Sequence, residues 1–312
     1  MSVRKSIILI FVLLLSHKVI FSQQEVMYSQ YMFDKMLVNP AFAGSSKWLV
    51  GSLKSRTSVM NIEGAPLSNF FTFQAPLQTK NVGVGIKVVQ DKISVINSFN
   101  ASGFFSYHIG FGNGKLSFGL EGGMKNSIYN YDNLVKYDLV DDAIPVGEQS
   151  AIIPDASAGV YYQTQEFYVG LSANHLINSK RTLLIYERNN IQNMAPNFYA
   201  IGGYIFEIGR DGLLEPGFLI KYMHGISLQV DANLTFIYLE RFGFGLSYRS
   251  GDAIVALLKF DITKNIKISY SYDYTISGLS DYSSGAHEIS ISYGIELRPP
   301  AAKKVVHPRY YF

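Results

Sequence analysis

Five histidines lie beyond the amino-terminal leader described below: His108, His175, His224, His287 and His307. None has metal-ligand spacing, such as two His four apart on a helix. Asn174-His175 stands at a predicted strand end, where a His could activate a Ser nucleophile in a membrane hydrolase. No Ser sits in a nucleophile motif, however, and GxSxG is absent. Those histidines therefore read as loop or lumenal residues rather than as a catalytic set.

Three further stretches could carry chemistry. Asp132, Asp138, Asp141, Asp142 and Glu148 make an oxygen-rich loop, but not at EF-hand spacing, so a solvated loop is expected. GFGNGK, Gly110 to Lys115, lacks the glycine spacing and the Ser or Thr of a phosphate-cradling loop. Asn113-Gly114 between two apolar runs reads instead as a tight hairpin turn. The tail PPAAKKVVHPRYYF carries Lys303, Lys304 and Arg309 beside aromatics, too little for a nucleic-acid site. The sequence thus supplies no catalytic, cofactor or metal constellation, and no nucleic-acid partner is expected.

What must position these residues is a set of alternating strands. In HEISISYGIEL, Ile289, Ile291, Tyr293, Ile295 and Leu297 fall on every second position, with Ser290, Ser292, Gly294 and Glu296 between them. That period of two gives a strand with one apolar and one polar face. The same pattern recurs in ISLQVDANLTFIY, FGFGLSY and IKISYSYDY. About fourteen strands follow, starting near Trp48, Asn69, Val82, Val95, Leu116, Asp155, Phe167, Asn197, Pro216, Ile226, Phe242, Ala253, Ile266 and His287. Every second connection is short, and several of the others are long.

Two architectures satisfy this pattern: a soluble sandwich or barrel with its apolar faces inward, or a membrane barrel with them outward. Composition favours the second. Charged residues are 16% of 312, against roughly 25% in an ordinary soluble domain, and aromatics reach 14%, with 22 Tyr and 21 Phe. Several strands reach the nine or so residues that cross a bilayer when tilted. The polar faces are Gly-, Ser- and Asn-rich, as in a lumen, and the apolar faces end in Tyr and Phe, as in interfacial girdles. The expected fold is all-β: a transmembrane antiparallel up-and-down β-barrel of about fourteen strands with an N-terminal periplasmic segment.

The amino terminus supports export. Arg4 and Lys5 precede the apolar run Ile7 to Leu15, the pattern of a secretory signal peptide. Cleavage is expected after Ser22. Without Arg4, Lys5 and Lys18, the 24 remaining basic side chains equal the 24 acidic ones, so the formal charge of +3 says nothing about anionic partners. The chain has no Cys, which excludes lipoprotein processing, disulfides and thiolate chemistry. The expected division is 1–22 signal peptide, 23–46 periplasmic or plug segment, 47–298 barrel and 299–312 periplasmic tail. The barrel would sit in lipid of a bacterial outer membrane, both termini periplasmic.

YSQYMFDKMLVNPAFAGS, Tyr28 to Ser45, resembles the start of the mature PorP/SprF family, outer-membrane proteins of type IX secretion and gliding systems in Bacteroidetes bacteria. The likeness rests on Gln30-Tyr31-Met32 followed by Asn39-Pro40-Ala41-Phe42-Ala43-Gly44. Arg56 with Gly64-Ala65-Pro66, LSFGLEGG, PDASAGVYY, FYVGLSANHL, YSYDYTISGL and GAHEISISYG follow in the family's order. The chain departs from the family at Thr57, Ser58 and Val59, where Trp often follows the early Arg, and at Ser94, where Gly is common. The resemblance implies a non-enzymatic accessory barrel that assists secretion or surface attachment of a large adhesin, with links to periplasmic ring and motor proteins and to gliding motility. Asn39-Pro40 and Gly44 would break any helix in the leading segment. Tyr28, Gln30, Tyr31, Asn39, Pro40, Phe42 and Gly44 are therefore expected to fold into the periplasmic mouth or dock a periplasmic partner. The competing readings are a pore for small solutes and an outer-membrane hydrolase.

Overall fold

The computed structural model describes residues 27–297, except 61–63, 78–80, 134–146, 178–179, 186–187, 194 and 224–227. The expected signal peptide and tail, His224, His307 and the acids Asp138, Asp141 and Asp142 lie outside the described residues. Strands β1 (Trp48–Thr57), β2 (Leu67–Leu77), β3 (Val82–Ile93), β4 (Ile96–Phe111), β5 (Gly114–Asn130), β6 (Glu148–Gln163) and β7 (Phe167–Asn174) form an antiparallel meander. A hairpin of β8 (Lys180–Ile185) and β9 (Arg188–Asn193) stands apart within the next connection. The meander resumes with β10 (Asn197–Tyr204), β11 (Phe206–Ile208), β12 (Gly212–Met223), β13 (Gln229–Tyr238), β14 (Phe242–Arg249), β15 (Ala253–Asp261), β16 (Ile266–Thr275) and β17 (Ala286–Glu296).

β10 and β11 are two pieces of one stave, since both pair with β12 in continuous register, Gly203 opposite Gly217 and Phe206 opposite Leu214. β1 pairs with both β2 and β17, and β7 with β10, so the sheet closes into a barrel of fourteen staves. Closure leaves no unpaired edge, the condition for a sheet in hydrocarbon.

The alternation resolves the inside–outside question. In β17, Ile289 is 60% exposed and Ile291 49%, while Glu288 is 0% and Ser290 8%. The same inversion runs round the barrel: Leu53, Phe105, Leu120, Leu171, Phe244 and Leu246 face out, and Ser52, Lys54, Ser106, Glu121, Ser172 and Ser247 are buried inside. A water-soluble protein would bury the first set. Apolar side chains therefore meet lipid and polar ones the lumen. Arg in place of Leu246, 64% exposed on β14, should cost about 2–4 kcal/mol in a bilayer. Urea unfolding in lipid vesicles checks it; a neutral effect, as on a water-exposed surface, would contradict the inside-out arrangement.

Two strands begin earlier than alternation suggests. β6 starts at Glu148 and takes in Pro154, opposite Met124; β12 starts at Gly212 and takes in Pro216, opposite Leu234. Proline cannot donate to a ladder, so both positions look like strand starts in the sequence. The hairpin between β4 and β5 also differs by one residue. Phe111 pairs with Gly114, leaving Gly112-Asn113 as the two-residue turn, with Gly112 at φ +57° in its first position. Glycine there suits a II′ turn, which matches strand twist.

Short connections lie at one end of the barrel: 112–113, 164–166, 209–211, 239–241 and 262–265. The other end carries 58–66, 131–147, 175–196 and 276–285, together with the short links 94–95 and 250–252.

Candidate functional site: a filled lumen

A barrel of this strand number encloses more space than its own wall side chains fill. Residues 27–46 occupy it. Two 3-10 turns, Lys35–Leu37 and Pro40–Phe42, give the segment its folded course. Asn39 caps the second: its Oδ1 accepts from the Ala41 backbone N–H at 2.9 Å, and Pro40 fills the first position, where no donor is needed. The same side chain ties the turn to the wall, Nδ2 donating to the carbonyls of Val160 at 3.0 Å and Leu171 at 3.2 Å.

At the long-connection end the plug meets buried charges. Ser29 Oγ donates to Asp273 at 2.7 Å and accepts from Arg56 at 2.8 Å and Arg249 at 3.0 Å. Its backbone N–H donates to Glu288 at 2.9 Å. Arg56 bridges Asp273 and Glu288, Arg249 bridges Asp231 and Asp273, and Lys54 stands 3.5 Å from Glu288. Lys54, Arg56 and Arg249 thus balance Asp231, Asp273 and Glu288, all buried. Gln30 Nε2 donates to the Glu288 carbonyl at 2.8 Å, and Tyr31 Oη donates to Asp231 at 3.1 Å.

Midway the contacts become apolar. Tyr31, Met32 and Met36 pack in one cluster with the inward side chains Ala253, Val255 and Leu257. Lys35 lies in the same layer, its Nζ donating to the Met32 carbonyl at 2.8 Å and standing 4.5 Å above the Tyr168 ring. Phe42 meets Tyr161 edge-on at 5.4 Å, and Tyr28 meets Phe70 at 5.3 Å.

Towards the short-turn end the wall accommodates the plug by omitting side chains. A Cβ on Gly119 would stand 2.2 Å from the Ala41 nitrogen, and one on Gly159 2.2 Å from Asn39 Oδ1. Gly44, at φ +61°, lies against Gly83 and donates its N–H to Gln74 at 3.0 Å. Lys115 Nζ reaches the Ser45 carbonyl at 3.2 Å. Val at position 119 should therefore loosen the plug, by about 1–3 kcal/mol of overpacking. The expected result is faster proteolysis between Tyr31 and Ala43 with the barrel unchanged in heat-modifiability; equal protection in the variant would show that the contact is not tight.

All seven segment residues singled out from sequence, Tyr28, Gln30, Tyr31, Asn39, Pro40, Phe42 and Gly44, come together inside the barrel, and all but the half-buried Tyr28 are buried. They line the plug rather than a surface. The segment also spans the lumen. Met27 lies beside Arg249 at the long-connection end, while Ser45 leads into β1 at the short-turn end, where β17 finishes. The described residues thus begin and end at opposite ends of the barrel; the expected periplasmic placement of both termini concerns residues outside them.

Sequence reasoning missed most of the wall's charged set. Arg249 and Glu288 carry a signal in retrospect, as charges on polar faces near strand ends. Their pairing, across 24 residues for Arg249 with Asp273 and 232 for Arg56 with Glu288, leaves none. The described histidines have local partners, His287 Nδ1 meeting Tyr270 Oη at 2.5 Å. His175 Nδ1 pairs with Asp155 at 2.7 Å. His108 is held by Ser117 at Nδ1 and Ser106 at Nε2, and Ser106 Oγ donates to the plug's Ala43 carbonyl. Among the described residues, no three His, Asp or Glu side chains are grouped to hold a metal ion. Of the acidic loop, Asp132 accepts the Gly147 N–H at 2.8 Å.

Residues 20–293 match the family model described as type IX secretion system membrane protein PorP/SprF. The chain belongs to the PorP/SprF family. Its barrel is an outer-membrane barrel, and membership sets it among the components of type IX secretion. No curated protein matches the sequence. Among solved structures, the monoaromatic hydrocarbon channel CymD superposes with a TM-score of 0.53 at 10% identity, over 88% of this chain and 94% of that one. A Pseudomonas aeruginosa FadL homologue gives 0.47 at 11%, over 83% and 93%. Acinetobacter baumannii Omp33 gives 0.46 at 8%, over 79% and 97%. At such identity the likeness to CymD is one of fold alone.

Proposed function

We propose that this PorP/SprF barrel is a non-enzymatic accessory of type IX secretion that assists export or surface attachment of a large adhesin, with periplasmic ring or motor proteins as its other partners and gliding as an output in a motile host. The long connections face the outside and the short turns the periplasm, the usual division in outer-membrane barrels. The observation that carries the reading is the filled lumen: Ser29, Gln30, Tyr31, Asn39 and Gly44 are each hydrogen-bonded to the wall. A barrel closed in this way works through its surfaces and loops rather than as a conduit. The plug residues are committed to lumenal partners, so docking by Tyr28 to Gly44 requires drawing the segment out.

Cross-linking in intact cells followed by purification of the detergent-solubilised barrel tests the proposal. A secreted adhesin and a periplasmic ring protein should be captured, and loss of the barrel should strip that adhesin from the cell surface. Steady ion current through the intact protein in planar bilayers, with no captured partner and normal adhesin display in the null strain, would favour the small-solute pore instead.

A further inference from the structure

On its lipid side the barrel wall is not convex throughout. Between β14 and β4, across the β17–β1 closure, it forms a groove of about 1140 Å³. The groove runs from Phe242 and Phe260, at the short-turn ends of β14 and β15, to Gln90 and Phe99, near the long-connection ends of β3 and β4. Leu53, Phe71, Leu258, Ile289 and Ile291 line its middle, and none of these side chains can form a hydrogen bond. A protein strand laid there would leave its backbone unpaired. A flexible hydrocarbon chain loses nothing polar, and it gains dispersion contacts on more than one side, where a convex wall gives them on one.

The short-turn end of the groove carries a charge. Arg241 is exposed, and its guanidinium stands 5.8 Å from the Phe242 ring and 5.2 Å from the Phe260 ring, both of which line the groove. Its Nε donates to the Asp261 carbonyl at 3.2 Å, which orients the group and leaves the terminal nitrogens for a ligand. Among the described residues no acidic side chain pairs with Arg241, and the adjacent Glu240 interacts with Lys267. A guanidinium held in this way suits a phosphate, which it can grip with two parallel hydrogen bonds. We propose that the groove binds one phospholipid, its phosphate on Arg241 and an acyl chain along Leu258, Ile289 and Leu53. A cation at one end and hydrocarbon along the rest complement the two parts of such a lipid. On the inner side of the same strands Ser269 and Glu288 hold the plug's Gln30, so the site lies directly behind the plug's anchor. The site is independent of the secretion role and of which barrel mouth faces outward.

The full-length barrel, delipidated in detergent, is titrated with phosphatidylglycerol and followed by native mass spectrometry. One lipid should be retained per barrel. Arg241→Gln should weaken retention about five- to tenfold, the effect of one Arg–phosphate contact. Arg210→Gln, in the exposed turn 209–211 away from the groove, should change nothing. Ile291→Trp, which fills the groove, should also weaken retention, whereas Leu171→Trp, on the opposite outer wall, should not. Heat-modifiable migration checks that each variant is folded. Glycerol 3-phosphate in excess should leave the lipid in place. No retained lipid, equal loss in all four variants, or retention that Arg241→Gln and Ile291→Trp leave unchanged overturns the proposal. Displacement by glycerol 3-phosphate overturns it in favour of a site for phosphate alone, and a dimer that Ile291→Trp splits overturns it in favour of a second copy of this chain.

Discussion

Deleting Tyr28 to Gly44 should convert a closed barrel into a conducting one. The intact protein is expected to give no steady current in planar bilayers, and the deletion variant stable open channels. The deletion removes the Tyr31, Met32, Met36 and Phe42 side chains that fill the middle of the lumen, while leaving the wall's hydrogen-bonded closure intact. The exposed wall is rich in Ser, Thr and Asn with buried ions, groups that water and salt solvate readily. The lipid-facing side chains are untouched, so the variant should still run as a heat-modifiable barrel. If the segment also serves as the docking element for a periplasmic partner, the same variant loses that partner on purification. A deletion variant as silent as the intact protein would mean that another element closes the lumen.

Asp273→Asn is expected to destabilise the plugged state by about 3–5 kcal/mol, the range for removing one partner of a buried ion pair. Asp273 is the shared acceptor of both arginines, Arg56 at 2.8 Å and Arg249 at 3.0 Å, and of Ser29 Oγ at 2.7 Å. Its loss leaves the buried set with an excess positive charge and two guanidiniums short of a partner. Water entering from the long-connection mouth solvates the excess most easily if the start of the plug lifts away. The variant should therefore show a protease-sensitive amino-terminal segment and intermittent conductance, together with a lower urea midpoint. Arg56→Lys offers a graded control: it keeps the charge but not the two-pronged geometry, and should fall between the two. An unchanged midpoint and a protected segment in Asp273→Asn would show that the charges do not hold the plug.

The barrel was largely legible in the chain because a strand's side chains alternate with a period of two, and lipid on one side enforces that pattern at nearly every position. Thirteen of the staves begin within about six residues of the expected starts, and the largest shift, at β6, is explained by Pro154. Some features of the wall make sense only with the plug in place. Ala253 to Leu258 reads as an unbroken apolar run because both faces of β15 meet apolar surroundings, lipid outside and Met32 and Met36 inside. Gly119 and Gly159 likewise look like unremarkable strand glycines until Ala41 and Asn39 are seen against them.

By itself the sequence determined that the chain forms an all-β wall with apolar side chains outward and carries a non-helical leading segment of distinctive composition. Only the tertiary structure decided where that segment goes, in which direction it crosses the lumen, and which charges receive it. The physical reason is range. Alternation and turn chemistry act between neighbours and are written locally, whereas Ser29 meets Asp273, and Tyr31 meets Asp231, only because closure brings residues 200 or more apart into hydrogen-bond distance.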